Sequence, residues 1–146
     1  MKYDIIIIGS GPGGYVTGIR ASQLGFKVAI VEKESLGGIC LNWGCIPTKA
    51  LLKSAQVYDY LKHVDDYGLK AEAIDKDFEA VIKRSRGIAD GMSNGVAFLM
   101  KKNKIDILDG FGKIKTGKKV DVTAEDGKVT EYEADNIIIA TGSRSR

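Results

Sequence analysis

Near the start of the chain, Asp4-Ile5-Ile6-Ile7-Ile8 runs directly into glycine, and this unbroken β-branched stretch predicts a central strand over residues 4–8, buried on both faces. From Pro12 to Leu24 the period turns helical. Val16, Ile19 and Leu24 fall roughly on one side, and Gly25 stands where a helix stops. A second apolar run, Lys27–Val31, ends at Glu32, so strand, helix and strand predict a βαβ unit with parallel strands. Residues 33–45 read as a loop rich in glycine and cysteine. A helix is predicted from near Cys45 to about Val64, with Pro47 in its first turn, an apolar side of Leu52, Val57, Leu61 and Val64, and an end at Tyr67-Gly68.

A second long helix is predicted from about Asp77 to Lys102, with Phe78, Val81, Ile82, Ile88, Met92, Val96 and Leu99 at helical spacing. Gly87, Gly91 and Gly95 recur along it at every fourth position. Despite the propensity cost of each glycine, the bare stripe reads as close backbone packing against another helix, with a partner-chain contact as the alternative. After Asn103 the period becomes two. Ile105–Leu108, Val120–Thr123 and Val129–Tyr132 predict short strands, and Asp126-Gly127 predicts a hairpin turn. Asn136–Ala140 predicts another buried strand, ending in Thr141-Gly142-Ser143. The fold class expected is α/β, with a parallel sheet, two long helices and a small antiparallel β meander.

Composition narrows the class without naming a function. A chain of 146 residues with 44% apolar and 28% charged positions has the profile of one soluble domain with one core. The net charge of +3, spread over 22 basic and 19 acidic residues, is too small and scattered to argue for nucleic acid. The lysines at 101, 102 and 104 and at 113, 115, 118 and 119 read as solvated surface. The four isoleucines are too few for a secretory apolar region of about 7–15 residues. No stretch approaches the roughly 20 apolar residues of a membrane span. A cytoplasmic protein without a membrane partner is expected.

Two motifs carry chemistry. Gly9-Ser10-Gly11-Pro12-Gly13-Gly14 matches G-x-G-x-x-G between a predicted strand and a predicted helix, the context that a dinucleotide phosphate loop requires. Gly9 permits the tight turn, Gly11 lets the backbone approach a pyrophosphate, and Gly14 lets helix and strand pack closely. The helix N-terminus offers N–H groups and a positive dipole end to the anion. Glu32, at the end of the second strand, can accept hydrogen bonds from ribose hydroxyls and repels a 2′-phosphate. The loop alone does not separate FAD from NAD.

Cys40 and Cys45 are the only cysteines. Zinc needs about four ligands, and with His63 as the single histidine no metal site is expected. Two unpaired buried thiols are one remaining reading. A redox dithiol is the other, and it needs the two Cα atoms within roughly 4.4–6.8 Å, which a distorted helical first turn can provide. Cys45 falls near a helix N-terminus, where the dipole favours thiolate, the reactive form. Lys49, one turn further on, is either a solvated residue or a positive charge beside an electron-accepting ring.

The stretch Gly37-Gly38-Ile39-Cys40-Leu41-Asn42-Trp43-Gly44-Cys45-Ile46-Pro47-Thr48-Lys49-Ala50-Leu51-Leu52 resembles the active-site segment of the flavin-dependent pyridine nucleotide–disulfide oxidoreductases. Within that family it is most similar to the branch that oxidises dihydrolipoamide. The glutathione and mercuric reductases share its skeleton. Trp43 stands where a small aliphatic residue is expected. Asp109-Gly110-Phe111-Gly112-Lys113 and Ala140-Thr141-Gly142-Ser143-Arg144 resemble two further family segments, and the resemblance runs from Tyr3 to Arg146.

The resemblance implies a Rossmann-like FAD-binding domain over residues 1–146, incomplete relative to the family. Gly9, Gly11, Pro12, Gly13 and Gly14 would surround the pyrophosphate. Glu32 would hold the adenosine ribose, with Lys33 and Gly38 along the same groove. Gly112 would pass over the adenine, and Thr141, Gly142 and Ser143 would make a second FAD contact. Cys40 would be the thiol that attacks a substrate disulfide. Cys45 would be the thiolate in charge-transfer contact with the flavin, and Lys49 would lie near the flavin's reactive edge.

Electrons would pass from dihydrolipoamide through Cys40–Cys45 and FAD to NAD+, the lipoyl group coming from a 2-oxo acid dehydrogenase or glycine-cleavage complex. The NAD-binding and dimerisation domains of a family homodimer are expected outside this stretch. The 146 residues alone are therefore expected to lack NAD+-linked turnover. Alternatives left open are a related NADPH-linked disulfide or mercuric reductase, and a non-catalytic FAD-binding module with structural cysteines.

Overall fold

The computed structural model describes residues 1–144; Ser145 and Arg146, the last two positions of the resemblance, lie outside the described residues. Strand β1 (Lys2–Ile8), helix α1 (Pro12–Gln23) and strand β2 (Val28–Glu32) form the βαβ unit, with β1 and β2 parallel and Ile5 opposite Val28. Pro12 opens α1 and Gly25, at a φ of +94°, ends its turn, as the sequence pattern predicts. Two long helices follow, α3 (Cys45–Lys62) and α4 (Phe78–Lys102), both close to their predicted spans. Asp77 caps α4, its carboxylate accepting from the Ala80 N–H at 2.9 Å.

Two boundaries differ from expectation. The segment 33–45 is not all loop, because a short helix α2 (Gly38–Asn42) forms inside it. The strands expected at Val129–Tyr132 and Asn136–Ala140 are one continuous strand, β6 (Val129–Ile139). Its first half pairs antiparallel with β5 (Lys119–Thr123) and its second half pairs parallel with β1, so Asp135-Asn136, which interrupt the apolar pattern, do not interrupt the backbone. Strands β3 (Asp106–Asp109) and β4 (Phe111–Lys115) complete one mixed six-stranded sheet of order β3-β2-β1-β6-β5-β4, and β4 was not foreseen as a strand. The Asp126-Gly127 turn forms as predicted, with Gly127 at a φ of +83°.

The reason for the four isoleucines is now visible. Side chains alternate across a strand, and β1 is covered on both sides. Ile6 and Ile8 join Ala29, Val31, Val120 and Val122 under the β4–β6 meander. Ile7 joins Ile30, Val96 and Met100 under α1 and α4. Tyr3, at the other end of β1, is buried and its hydroxyl donates to the Asp106 carboxylate at 2.9 Å. Burial first, then that carboxylate, pushes the Tyr3 phenol well above its ordinary range.

The long helices are less covered than their apolar patterns predict. Leu52, Val57 and Leu61 of α3 are exposed, as are Phe78, Ile82, Ile88, Met92 and Leu99 of α4. The face α4 buries is Ser85, Ala89, Val96 and Met100. Gly87, Gly91 and Gly95 do not make the close backbone packing expected of them: a Cβ on any of the three would meet nothing within 4 Å. Among the described residues, no helix is long and apolar enough to cross a membrane.

Ile30 has no exposed surface and lies between β1, α1 and α4. Replacing it with alanine leaves a cavity that the surrounding strands cannot close. The Ile30→Ala chain should lose about 2–5 kcal/mol of stability in a urea titration. A loss below about 1 kcal/mol would contradict the buried position assigned here.

Candidate functional site

The carboxyl ends of β1, β2 and β6 meet at one edge of the sheet, where a ligand crevice of an open parallel sheet is expected. A cleft of about 570 Å³ opens there. Its walls are the β1–α1 turn, the loop after β2, both cysteines with Trp43, and the segment after β6. Of the residues singled out in the sequence, Gly9, Gly11, Pro12, Glu32, Lys33, Gly38, Cys40, Cys45, Thr141, Gly142 and Ser143 line this cleft. Gly112 lies on a smaller adjoining cavity of about 220 Å³, which shares Gly9, Glu32, Lys33 and Thr141 with the first. Gly13 and Lys49 are exposed and border neither cavity. Gly14 is buried behind the loop.

The glycines of the loop do different work. A Cβ on Gly14 would run into the carbonyl oxygen of Gly9, so helix and strand can approach only because Gly14 has none. A Cβ on Gly11 would meet nothing within 4 Å. It would instead project into empty space at the mouth of α1, for which Gly11 is the N-cap without any side-chain hydrogen bond. The loop is therefore shaped to bring backbone, rather than a side chain, close to something in the cleft.

Glu32 is engaged by the protein itself. One of its carboxylate oxygens accepts from the Ser10 N–H at 2.9 Å and the Ser10 hydroxyl at 2.6 Å. The other accepts from the N–H groups of Lys33 and Glu34 at 2.9 and 3.0 Å. Ser10 is fully buried, and its carbonyl accepts from the Gly37 N–H at 3.1 Å. This buckle joins the phosphate-type loop to the loop after β2. Sequence reasoning passed over Ser10 because the motif leaves that position open.

At the other end of the cleft Cys40 and Cys45 form a disulfide, with Cα atoms 4.7 Å apart. The sequence reading left Cys40 in a loop and put Cys45 near a helix start, with a distorted helical first turn as one way to bring the two together. Instead Cys40 lies in α2, Cys45 is the first residue of α3, and the bond crosses the break between them. Gly44 stands at the break, where a Cβ would make a tight 3.1 Å approach to the Ile39 carbonyl oxygen. Trp43, half-exposed, lines the cleft beside the sulfurs, and the Arg144 guanidinium lies 6.0 Å over its ring while pairing with Glu34. Neither Glu34 nor Arg144 was singled out as a site residue from the sequence.

Residues 3–146 match the family profile described as pyridine nucleotide-disulphide oxidoreductase. The chain is 53% identical to a dihydrolipoyl dehydrogenase of Rhizobium etli, over 99% of its own length and 33% of that protein's. It is 48% identical to one from Zymomonas mobilis, covering 99% of this chain and 31% of the relative, and 50% identical to one from Acholeplasma laidlawii, covering 97% and 41%. The chain thus spans between about a third and two fifths of the length of these relatives.

The Gly11 and Gly14 geometries predict opposite outcomes for the same substitution. Gly14→Ala should destabilise the chain by several kcal/mol or prevent folding, through backbone overlap. Gly11→Ala should melt within a few degrees of the unsubstituted chain, a change of about 0.5 kcal/mol or less. Thermal unfolding of the pair side by side checks both, and equal melting temperatures would contradict this reading of the loop.

Proposed function

This chain belongs to the pyridine nucleotide–disulphide oxidoreductase family, and from that premise we propose that it is the FAD-binding, redox-disulfide part of a dihydrolipoyl dehydrogenase. The observation that supports this reading best is the sharing of one cleft by the phosphate-type loop and the disulfide. Either alone has other uses. Together they provide for an anionic dinucleotide at one end and two-electron sulfur chemistry at the other.

The residues present fit the flavin cofactor. The bare Gly11 backbone and the start of α1 suit its pyrophosphate. Lys33, Gly112 and Thr141 border the smaller cavity at the Glu32 end, which suits an adenosine, with Gly38, Gly142 and Ser143 along the main cleft between. The Ser10–Glu32 buckle holds the acidic end in place, and a ribose hydroxyl would join or displace donors that Glu32 already accepts. The combined space falls in the range of about 300–1,000 Å³ usual for a cofactor site. Bound there, FAD supplies the two-electron exchange that links thiols to a nicotinamide acceptor.

The chain's own part is sulfur chemistry. The Cys40–Cys45 bond opens when a thiolate of the substrate attacks one sulfur and a second thiol then displaces it. In this proposal Cys40 exchanges with the substrate and Cys45 faces the cofactor. Cys45 is the first residue of α3, where the helix dipole favours its thiolate over its thiol. Lys49, one turn along the same helix, adds positive charge on that side.

For the whole protein we propose oxidation of the dihydrolipoyl groups of a 2-oxo acid dehydrogenase or glycine-cleavage complex, with NAD+ as acceptor, by a cytoplasmic homodimer. The nicotinamide and dimerisation domains would lie outside these 146 residues.

The visible spectrum of the purified chain mixed with FAD tests the cofactor assignment. Bound flavin that gains a long-wavelength band when a dithiol opens Cys40–Cys45 is the expected result. The Gly11→Ala chain should stay folded yet lose about tenfold or more in flavin affinity, equivalent to about 1.4 kcal/mol. A folded chain that takes up no flavin, or a Gly11→Ala chain that binds it unchanged, would overturn the assignment.

A further inference from the structure

Helix α2 has five residues. Isolated helices shorter than about 12–15 residues are marginal in water, so α2 cannot fix the place of Cys40 by itself. What pins it comes from α4, about fifty residues further along the chain. Asn42, the last residue of α2, donates its two side-chain N–H groups to the carbonyls of Leu36 at 3.0 Å and Gly38 at 2.9 Å. Its side-chain oxygen accepts from the Ser93 hydroxyl at 2.8 Å, and that hydroxyl is also within 3.0 Å of the Leu36 carbonyl. Its main-chain carbonyl accepts from the Arg86 guanidinium at 2.8 Å. Ser93 and Arg86 both belong to α4. The hydrogen bonds converge on one residue between the two cysteines, on the side of α2 away from the flavin-type cleft, since neither Asn42 nor Ser93 lines that cleft.

We propose that Asn42, Ser93 and Arg86 form a positioning clamp that keeps Cys40 beside Cys45 when the bond between them is open, and so sets how readily the pair closes. The inference rests on the reading that the pair cycles between disulfide and dithiol. Opening the bond takes two electrons and two protons from an external dithiol, which closes to its own cyclic disulfide, and closing the bond returns them. With the sulfur–sulfur bond gone, the clamp is the polar part of what holds α2, beside the Leu41 side chain buried in the core. A held α2 keeps the effective concentration of one thiol near the other high, which favours the disulfide. A released α2 gains conformational entropy in the dithiol state alone, which favours the dithiol. The clamp residues touch neither substrate nor cofactor, so their role is one of position.

The test is a redox titration of the 146-residue chain in graded ratios of reduced to oxidised dithiothreitol, with free thiols alkylated and counted by mass. The unsubstituted chain should convert between zero and two free thiols in one step. Asn42→Ala should shift the equilibrium about tenfold toward the dithiol, about 30 mV for a two-electron couple. Ser93→Ala should shift it about threefold in the same direction, and Ser93→Thr, which keeps the hydroxyl, should restore it. Ser85→Ala is the control for general loosening of α4, because among the described residues the buried Ser85 hydroxyl bonds only within that helix, to the Ile82 carbonyl at 2.8 Å. It should leave the midpoint where it was.

Midpoints of Asn42→Ala and Ser93→Ala equal to that of the unsubstituted chain would overturn the clamp, and so would a Ser85→Ala shift as large as theirs. If the unsubstituted chain itself never exposes two thiols reversibly, the redox reading beneath the inference fails. That outcome is distinguishable because it needs no substitution to be seen.

Discussion

Burial of β1 on both faces is the constraint on which the rest of the molecule depends. A strand with no polar face has to be sandwiched, and here the meander covers Ile6 and Ile8 while α1 and α4 cover Ile7. That arrangement makes β1 an interior strand, registered with β2 on one side and β6 on the other. Three parallel strands then end at one edge, and the chain segments leaving them have to converge there. The cleft is a consequence of that convergence. Its chemistry comes from what the sequence places at the three exits: a glycine loop, an acidic residue with its serine partner, and a short polar segment after β6.

The sulfur pair is held by a different logic. The sheet positions the glycine loop directly, whereas the cysteines belong to a break between two helices that rests on the sheet through Leu41. Gly44 stands at the break, and α4 supplies polar contacts that hold α2 against it. The long helix therefore serves two ends at once. Its apolar residues Val96 and Met100 complete the core under β1 and β2, and one turn away Ser93 reaches the segment between the cysteines.

Much of this was legible in the sequence, because the features that set the fold are local and periodic. The isoleucine run, the glycine loop before Pro12, the stop at Gly25, the helix start near Asp77 and the Asp126-Gly127 turn each announce themselves within a few residues. The motif lettering also brought eleven of the singled-out residues to one cleft. What was missed depends on partners distant in sequence. Helix α2 is too short to show a period, and its stabilising contacts lie on α4. Strand β6 carries Asp135-Asn136 in its middle, which reads as a break unless one knows that its two halves pair with different neighbours. Ser10 and Ser93 are ordinary serines until the structure sets them beside Glu32 and Asn42. The apolar periods of α3 and α4 located the helices correctly but misjudged their covering, since periodicity reports that a face is apolar and not what meets it.

The register of β1 also has a consequence in time. Ile5 is opposite Val28 on one side and Asn136 on the other. The first pairing closes a short loop of chain and belongs to a unit that can assemble early. The second waits for nearly the whole sequence, and contacts of such separation are slow to form. The walls of the cleft contributed by Ala140 to Arg144 follow that second pairing directly. During synthesis from the N-terminus, the glycine loop and the cysteines emerge well before the strand that completes the cleft beside them. For that interval both cysteines are made while the cleft wall from Ala140 to Arg144 is still missing.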